Sequence, residues 1–499
     1  MSSESMLINF AIALPLLAAL LISVTGRFPN LREAVSIVIG LVLLATNIAI
    51  YKQWQGGVAL HGHWLDILPG LSLSFRVEAL GLLFALVASS LWPVTVLYAI
   101  GYMRGHDEKN QTRFYACFAI AISAVMAIAY ADNLFALFVF YEVLSLCTYP
   151  LVTHAGTEKA KQGGRVYLSI LMGTSIAFFL PAMIFTWVIS GTLEFRLGGI
   201  LPDEFSGPLL SILLAFFVFG VAKAAMMPFH RWLPAAMVAP TPVSALLHAV
   251  AVVKAGVFSL LKILIFIIGI DRLQEIPLTD YLLYLAGAGV LLASLVAMRQ
   301  DNLKARLAYS TVSQLGYISM GAFLATQSGV IGSATHIAMH AVGKITLFFC
   351  AGAILVASHK SEISQMRGLG RQMPITMVAF FIGALSIIGL PPTGGTWSKW
   401  LLLSATMDAG QWAMMVILLV SSLLNIAYLL PIPLRAFFPG EKFLKEQSKS
   451  GTAAVAIKEA PLPALLAIII TSLACIALFF WPDIPYELAT GIFNEVPMP

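Results

Sequence analysis

Charge is what this sequence has least of. Asp, Glu, Lys and Arg make up 11% of its 499 residues, against 59% hydrophobic residues, and the mean hydropathy is +0.90. So few charges cannot wet the surface of a soluble protein of this length. Cysteine is scarce too: Cys117, Cys147, Cys350 and Cys475 all fall in apolar runs, and no pair has C-x-x-C spacing. That argues against a disulfide framework and against an iron–sulfur site. No GxGxxG or Walker motif opens a helix, so a nucleotide site is not expected, nor is any other cofactor. The net charge is +5, but no basic block resembles a nucleic-acid surface. Met1–Met6 lacks a basic n-region and no A-x-A-like site follows, so the first apolar run is expected to be retained.

What fills the sequence instead is long apolar runs. Fourteen are long enough to span a bilayer: 7–24, 34–50, 77–100, 114–131, 133–152, 166–190, 207–227, 240–268, 281–298, 303–325, 331–357, 375–403, 410–434 and 461–481. Spans of this kind must be helices, because lipid satisfies no backbone polar group. The expected fold is an all-α polytopic membrane protein. Of 29 Lys and Arg, 24 lie in the connections, 20 of them after odd-numbered spans (Lys442, Lys445 and Lys449 included) and four after even-numbered ones. The positive-inside rule then puts odd connections in the cytoplasm and both termini on the outer, periplasmic side. The same asymmetry explains the net charge as loops facing anionic lipid.

The chain also resembles itself. YADNLFALFVFYE (130–142) opens span five and MRQDNLKARLAYS (298–310) opens span ten, sharing Asp-Asn-Leu at a spacing of 169. LMGTSIAFF (171–179) aligns with AVGKITLFF (341–349) at a spacing of 170. An offset of five spans makes the copies face opposite ways, placing Asp132 near the outer side and Asp301 near the inner. Inverted repeats are a transporter signature, with sites at interrupted helices near the midplane. Spans seven and twelve are both interrupted, by MMPFHRWLP after Lys223 and by GLPPTGGTWSKW leading into Lys399.

Lys223, Lys254, Lys262, Lys344, Lys399 and Glu142 lie inside spans, where each charge costs roughly 2.5–3.5 kcal/mol on insertion scales. Lys262 is near a span end, and snorkelling to the membrane surface explains it. The others point to a relay: a buried lysine whose carboxylate partner can approach or withdraw can gain and lose a proton. Lys223 is the expected partner of Glu142. His336, His340 and Lys344 stand at i, i+4, i+8 on one face of span eleven, which suits proton passage. Structural polar packing and a two-histidine metal site are the competing readings, and the cation next on that face disfavours the metal. His248 and the cytoplasmic His230 are accessory candidates, the latter more readily an ordinary interface anchor. Asp132 and Asp301 suit ion binding or, as shared helix-start residues, capping.

The strings YEVLSLCTYPLV, AKAAMMPFHRWLPAAMVAPTPVSALLHAVAVVKAG, ARLAYSTVSQLGYISMG and GLPPTGGTWSK resemble the antiporter-like subunits of respiratory complex I and of Mrp-type cation/proton antiporters, D-type Mrp subunits above all. The resemblance covers roughly residues 75–430. It implies about 14 transmembrane helices with two inverted five-helix repeats, spans 4–8 and 9–13, and broken helices 7 and 12. The division would be 1–113, 114–268, 281–434 and 435–499. It further implies proton-relay roles for Glu142, Lys223, Lys254, Lys344 and Lys399, with His336 and His340 beside Lys344. The implied partners are other membrane subunits, H+ and either Na+ or K+. A redox-driven complex would use the same relay, and a scaffolding protein would use none of it.

Overall fold

The computed structural model describes residues 3–68, 71–440 and 456–494; Lys442, Lys445 and Lys449 lie outside them. The architecture is helical throughout its transmembrane part. In chain order the helices are α1 (Ser3–Val24), α2 (Pro29–Gln55), α3 (Ala79–Gly105), α4 (Gln111–Tyr130), α5 (Leu134–Val152), α6 (Glu158–Ser190) and α7 (Pro208–Gly220). Then follow α8 (Thr241–Ile268), α9 (Pro277–Arg299), α10 (Leu303–Phe323), α11 (Gln327–Ser358), α12 (Pro374–Ile388), α13 (Gly395–Asp408), α14 (Trp412–Leu429), α15 (Leu462–Phe480) and α16 (Asp483–Gly491). Among the described residues eleven helices are long and apolar enough to cross a membrane. The three expected spans that fall short of that standard are informative. α7 has only 13 residues before its break, α12 and α13 are the two pieces of span twelve, and α10 carries a buried polar stripe.

The starts of these helices follow from their sequences. Pro29, Pro208, Pro277 and Pro374 each occupy a first helical position, where the missing N–H costs nothing. Elsewhere a side chain caps. Asn133 accepts from the Ala136 amide at 2.7 Å and Asn302 from the Ala305 amide at 3.1 Å. The repeated Asp-Asn-Leu thus caps through its asparagine, not through Asp132 or Asp301. The likeness goes further. The Leu134 amide donates to Leu193 O and the Phe195 amide to Asp132 O, while the Leu303 amide donates to Ser361 O and the Ile363 amide to Asp301 O. Both helix starts are therefore pinned by the same two-bond clasp.

The connection between α2 and α3 is a β-hairpin. β1 (His61–Leu68) and β2 (Leu71–Arg76) pair antiparallel between α2 and α3, with His61 opposite Arg76. Phe75 of β2 bridges to Ala131 just before α5, and Lys262 near the end of α8 reaches the same Ala131, so α5 begins and α8 ends on the hairpin face, and α9, which follows α8, carries the start of α10 to the other. At the centre stands α8, every residue of which is buried, with the largely buried α11 beside it. A helix apolar all round belongs in the middle of a bundle. Here it carries two lysines.

Candidate functional site

The geometry is clearest at the break after α7. The helix stops at Gly220; Lys223 sits in a single 3-10 turn, Ala222–Ala224, and Ala225 takes φ +53°. The Ala222 carbonyl, which closes the turn by accepting the Ala225 amide at 2.9 Å, also accepts the Trp232 indole N–H at 2.9 Å. Close approach of α8 makes this possible, since a Cβ on Gly256 would lie 2.2 Å from the Lys223 carbonyl carbon. The Lys223 ammonium donates to Tyr141 O at 2.8 Å and to Ser145 Oγ at 2.6 Å, and lies over the Tyr141 ring. Glu142, one residue on, is held by the Ser175 hydroxyl, and its Oε2 is buried without a protein partner. Ser175 opens a π-turn, 175–179, in α6. Glu142 and Lys223 are therefore neighbours on the α5 rim, each held by serine rather than joined in an ion pair.

The second cluster draws on six helices, α8 and α10 to α14. From α8, Lys254 Nζ meets His340 Nδ1 of α11 at 2.5 Å. His340 stacks on His336 with ring centroids 5.7 Å apart. His336 pairs through Nε2 with Gln314 Oε1 at 3.1 Å and through Nδ1 with Ser398 Oγ at 2.9 Å. Ser398 precedes Lys399, whose ammonium donates to Ile388 O and Ser422 Oγ, both at 3.1 Å, and lies 4.7 Å from the Tyr317 ring centroid. Ile388 O is the last carbonyl of α12, freed because Gly389 leaves the helix at φ +88°. The break supplies the lysine's acceptor.

Lys344 lies to one side, donating to Ser310 Oγ at 2.9 Å, which also receives the Tyr428 hydroxyl at 3.1 Å. Of the accessory candidates, none joins either cluster. His248 is buried against Phe348 and neither ring nitrogen has a protein partner. His230 lies half-buried beside the exposed Arg231. Asp132 pairs with Arg76 at 3.1 Å on the hairpin face, and Asp301 accepts from Ser364 at 2.6 Å on the opposite one. No group of three or more His, Cys, Asp or Glu that could hold a metal occurs among the described residues.

The reading of Lys262 as a snorkelling residue needs correction. Its ammonium is 2.6 Å from Glu78 Oε1, both side chains are 1% exposed, and it also donates to Ala131 O at 2.5 Å. Glu78 gives no signal in sequence because it stands at the edge of a run, where a carboxylate ordinarily meets water. Ser145, Ser175, Ser398 and Ser422 give none either, since a hydroxyl in an apolar helix is as often satisfied by its own backbone.

Comparison with known proteins gives this geometry a context. A family model described as NADH:quinone oxidoreductase/Mrp antiporter, TM, matches residues 131–425. The chain is 32% identical over 437 residues to NADH-quinone oxidoreductase subunit N of Desulforudis audaxviator, covering 86% of this chain and 84% of that one. It spans less of some other relatives, 61% and 54% of two cyanobacterial NAD(P)H-quinone oxidoreductase chains 5. In fold it is similar to a chain of the archaeal membrane-bound sulfane sulfur reductase, with TM-score 0.86 at 23% identity over 98% of this chain and 97% of that one. It is equally similar to a chain of the Mrp complex from Dietzia sp. DQ12-45-1b, with TM-score 0.84 at 23% identity over 99% and 97%. At that identity the two structures speak for the fold.

Proposed function

Because this multi-pass membrane chain belongs to the NADH:quinone oxidoreductase/Mrp antiporter family, we propose that it is the proton-translocating subunit of a multi-subunit Na+/H+ or K+/H+ antiporter. Protons are taken up at Glu142 and Lys223, cross at Lys254, pass along His340 and His336, and leave by Lys399, with Lys344 biasing the crossing. The observation that carries this reading is the buried contact series Lys254–His340–His336–Ser398, which bridges two halves of the chain and ends at the residue before Lys399. In it each cation is held by neutral lone pairs, so a proton can leave without stranding a carboxylate. The halves are 114–268 and 281–434, flanked by 1–113 and 435–499, and the membrane is the cell membrane with both termini and the hairpin face outside.

The second reading is the pump arm of a redox complex, favoured by the 32% identity to a quinone oxidoreductase subunit. The relay is the same in both, so co-purification separates them. The tagged chain is captured from native membranes: hydrophobic subunits alone support the antiporter, and flavin or iron–sulfur subunits support the redox arm. Transport by the captured complex in vesicles, with Lys223→Ala beside wild type, tests what the two share. Equal rates would sink both.

A further inference from the structure

The Glu78–Lys262 pair lies outside the relay just described, and its surroundings give it a use. Lys262 is on α8, eight residues beyond Lys254 and so roughly 12 Å nearer the hairpin face. Between them Ser259 Oγ is buried with no protein partner. Glu78 is the residue before α3, and its Oε2 is also buried without a partner. The carbonyl that shares the Lys262 ammonium belongs to Ala131. The next residue, Asp132, pairs with Arg76, which stands two residues before Glu78. Asp132 in turn lines a cavity of about 490 Å³ on the hairpin face, with Asn9, His61, His63, Ser72 and Ser74.

Stability is a poor explanation for such a pair. Burying two charges costs several kcal/mol per ion, and apolar replacement of a buried pair is often neutral or better. A structural pair would also be expected to satisfy both carboxylate oxygens. We propose that Glu78 and Lys262 form a proton gate between the α8 lysines and the hairpin-face cavity. The Lys262 ammonium gives its proton to Glu78: an N–H bond breaks, an O–H bond forms, and the charged pair becomes a neutral amine and acid. The acid then releases the proton by way of Asp132 into the cavity, and Lys262 is recharged from the Lys254 side. This gate rests on the proton-moving function proposed above.

The test uses the whole complex in vesicles, comparing wild type, Glu78→Asp, Glu78→Gln, the charge-balanced double variant Glu78→Gln/Lys262→Gln, and Lys223→Ala. A gate predicts that the double variant assembles with wild-type thermal stability yet moves protons roughly 100-fold more slowly, while Glu78→Asp retains most of the rate. A structural pair predicts recovery in the double variant, and transport within about threefold of wild type overturns the gate. Should the double variant fail to assemble, Glu78→Gln is the deciding measurement, because it keeps an acceptor for Lys262; a rate within the same threefold again overturns the gate. Lys223→Ala separates the two levels of inference. If it is slow while the Glu78 variants are fast, only the gate fails; if it too is fast, the proton-moving function fails with it.

Discussion

Gly256→Ala tests whether the break at Lys223 depends on the close approach of α8. A Cβ at this position would stand 2.2 Å from both the Lys223 carbonyl carbon and the Ala224 nitrogen, and 2.6 Å from Lys223 O. These are backbone atoms, so no rotamer change relieves the clash. Reaching an ordinary contact of 3.4 Å requires α8 and the 3-10 turn to part by about 1.2 Å. Overpacking of this kind costs roughly 1–3 kcal/mol. The functional cost is larger, because the ammonium's contacts to Tyr141 O and Ser145 Oγ, at 2.8 and 2.6 Å, cannot survive such a shift unaltered. A misplacement of about 1 Å at a transfer site is worth on the order of 100-fold in rate. The assay is proton transport by the assembled complex in vesicles, with the thermal midpoint measured on the same preparation. Gly173→Ala is the control, since nothing beyond its own helix backbone lies within 4 Å of where the added Cβ would stand. If Gly256→Ala transports like wild type, Lys223 is not held in place by α8 and the account of the break is wrong.

Glu142→Gln should lower transport by at least an order of magnitude, as expected for loss of a positioned proton carrier. Ser175→Ala should do less, because Glu142 keeps its carboxyl group and loses one donor; equal losses from the two would refute the separation. His248→Phe should leave transport unchanged and raise the thermal midpoint, since it removes two buried nitrogens without partners, each worth about 1–3 kcal/mol of desolvation; slowed transport would return His248 to the relay. His154 lies in the loop after α5, where burial holds its pKa below the ordinary histidine value against the opposing pull of Glu108. Its unfolded form therefore binds a proton first, so its share of stability is full above a pH of about 6.5 and falls away as the pH drops below that. His154→Gln should flatten the acid limb of a thermal-stability profile, and an unchanged limb would assign it elsewhere.

How much was legible beforehand depends on what each residue costs where it stands. Lys223, Lys254, Lys344 and Lys399 stand out in sequence because an ammonium in a long apolar run has few bland explanations, and each is buried or nearly so. The all-α polytopic fold was readable from the same long apolar runs, with eleven helices among the described residues meeting the plain length-and-apolarity standard and the expected spans at α7, α10 and α12–α13 falling short of it, where helices break or carry polar stripes. The partners were not readable. A serine among leucines satisfies its hydroxyl on its own helix as easily as on a lysine, so Ser145 and Ser398 carry no signal. The π-turns at 175–179, 246–250 and 264–268 leave no mark in sequence either, because they arise from packing between helices. Yet the first of them presents Ser175 to Glu142, which no reading of residue types could have supplied. Glu78 shows the limit most sharply: the position that made it look ordinary, the edge of a run, is where α3, α8 and the turn before α5 converge to bury it. An unremarkable carboxylate became half of an ion pair because three separate segments met there, and only tertiary packing records that.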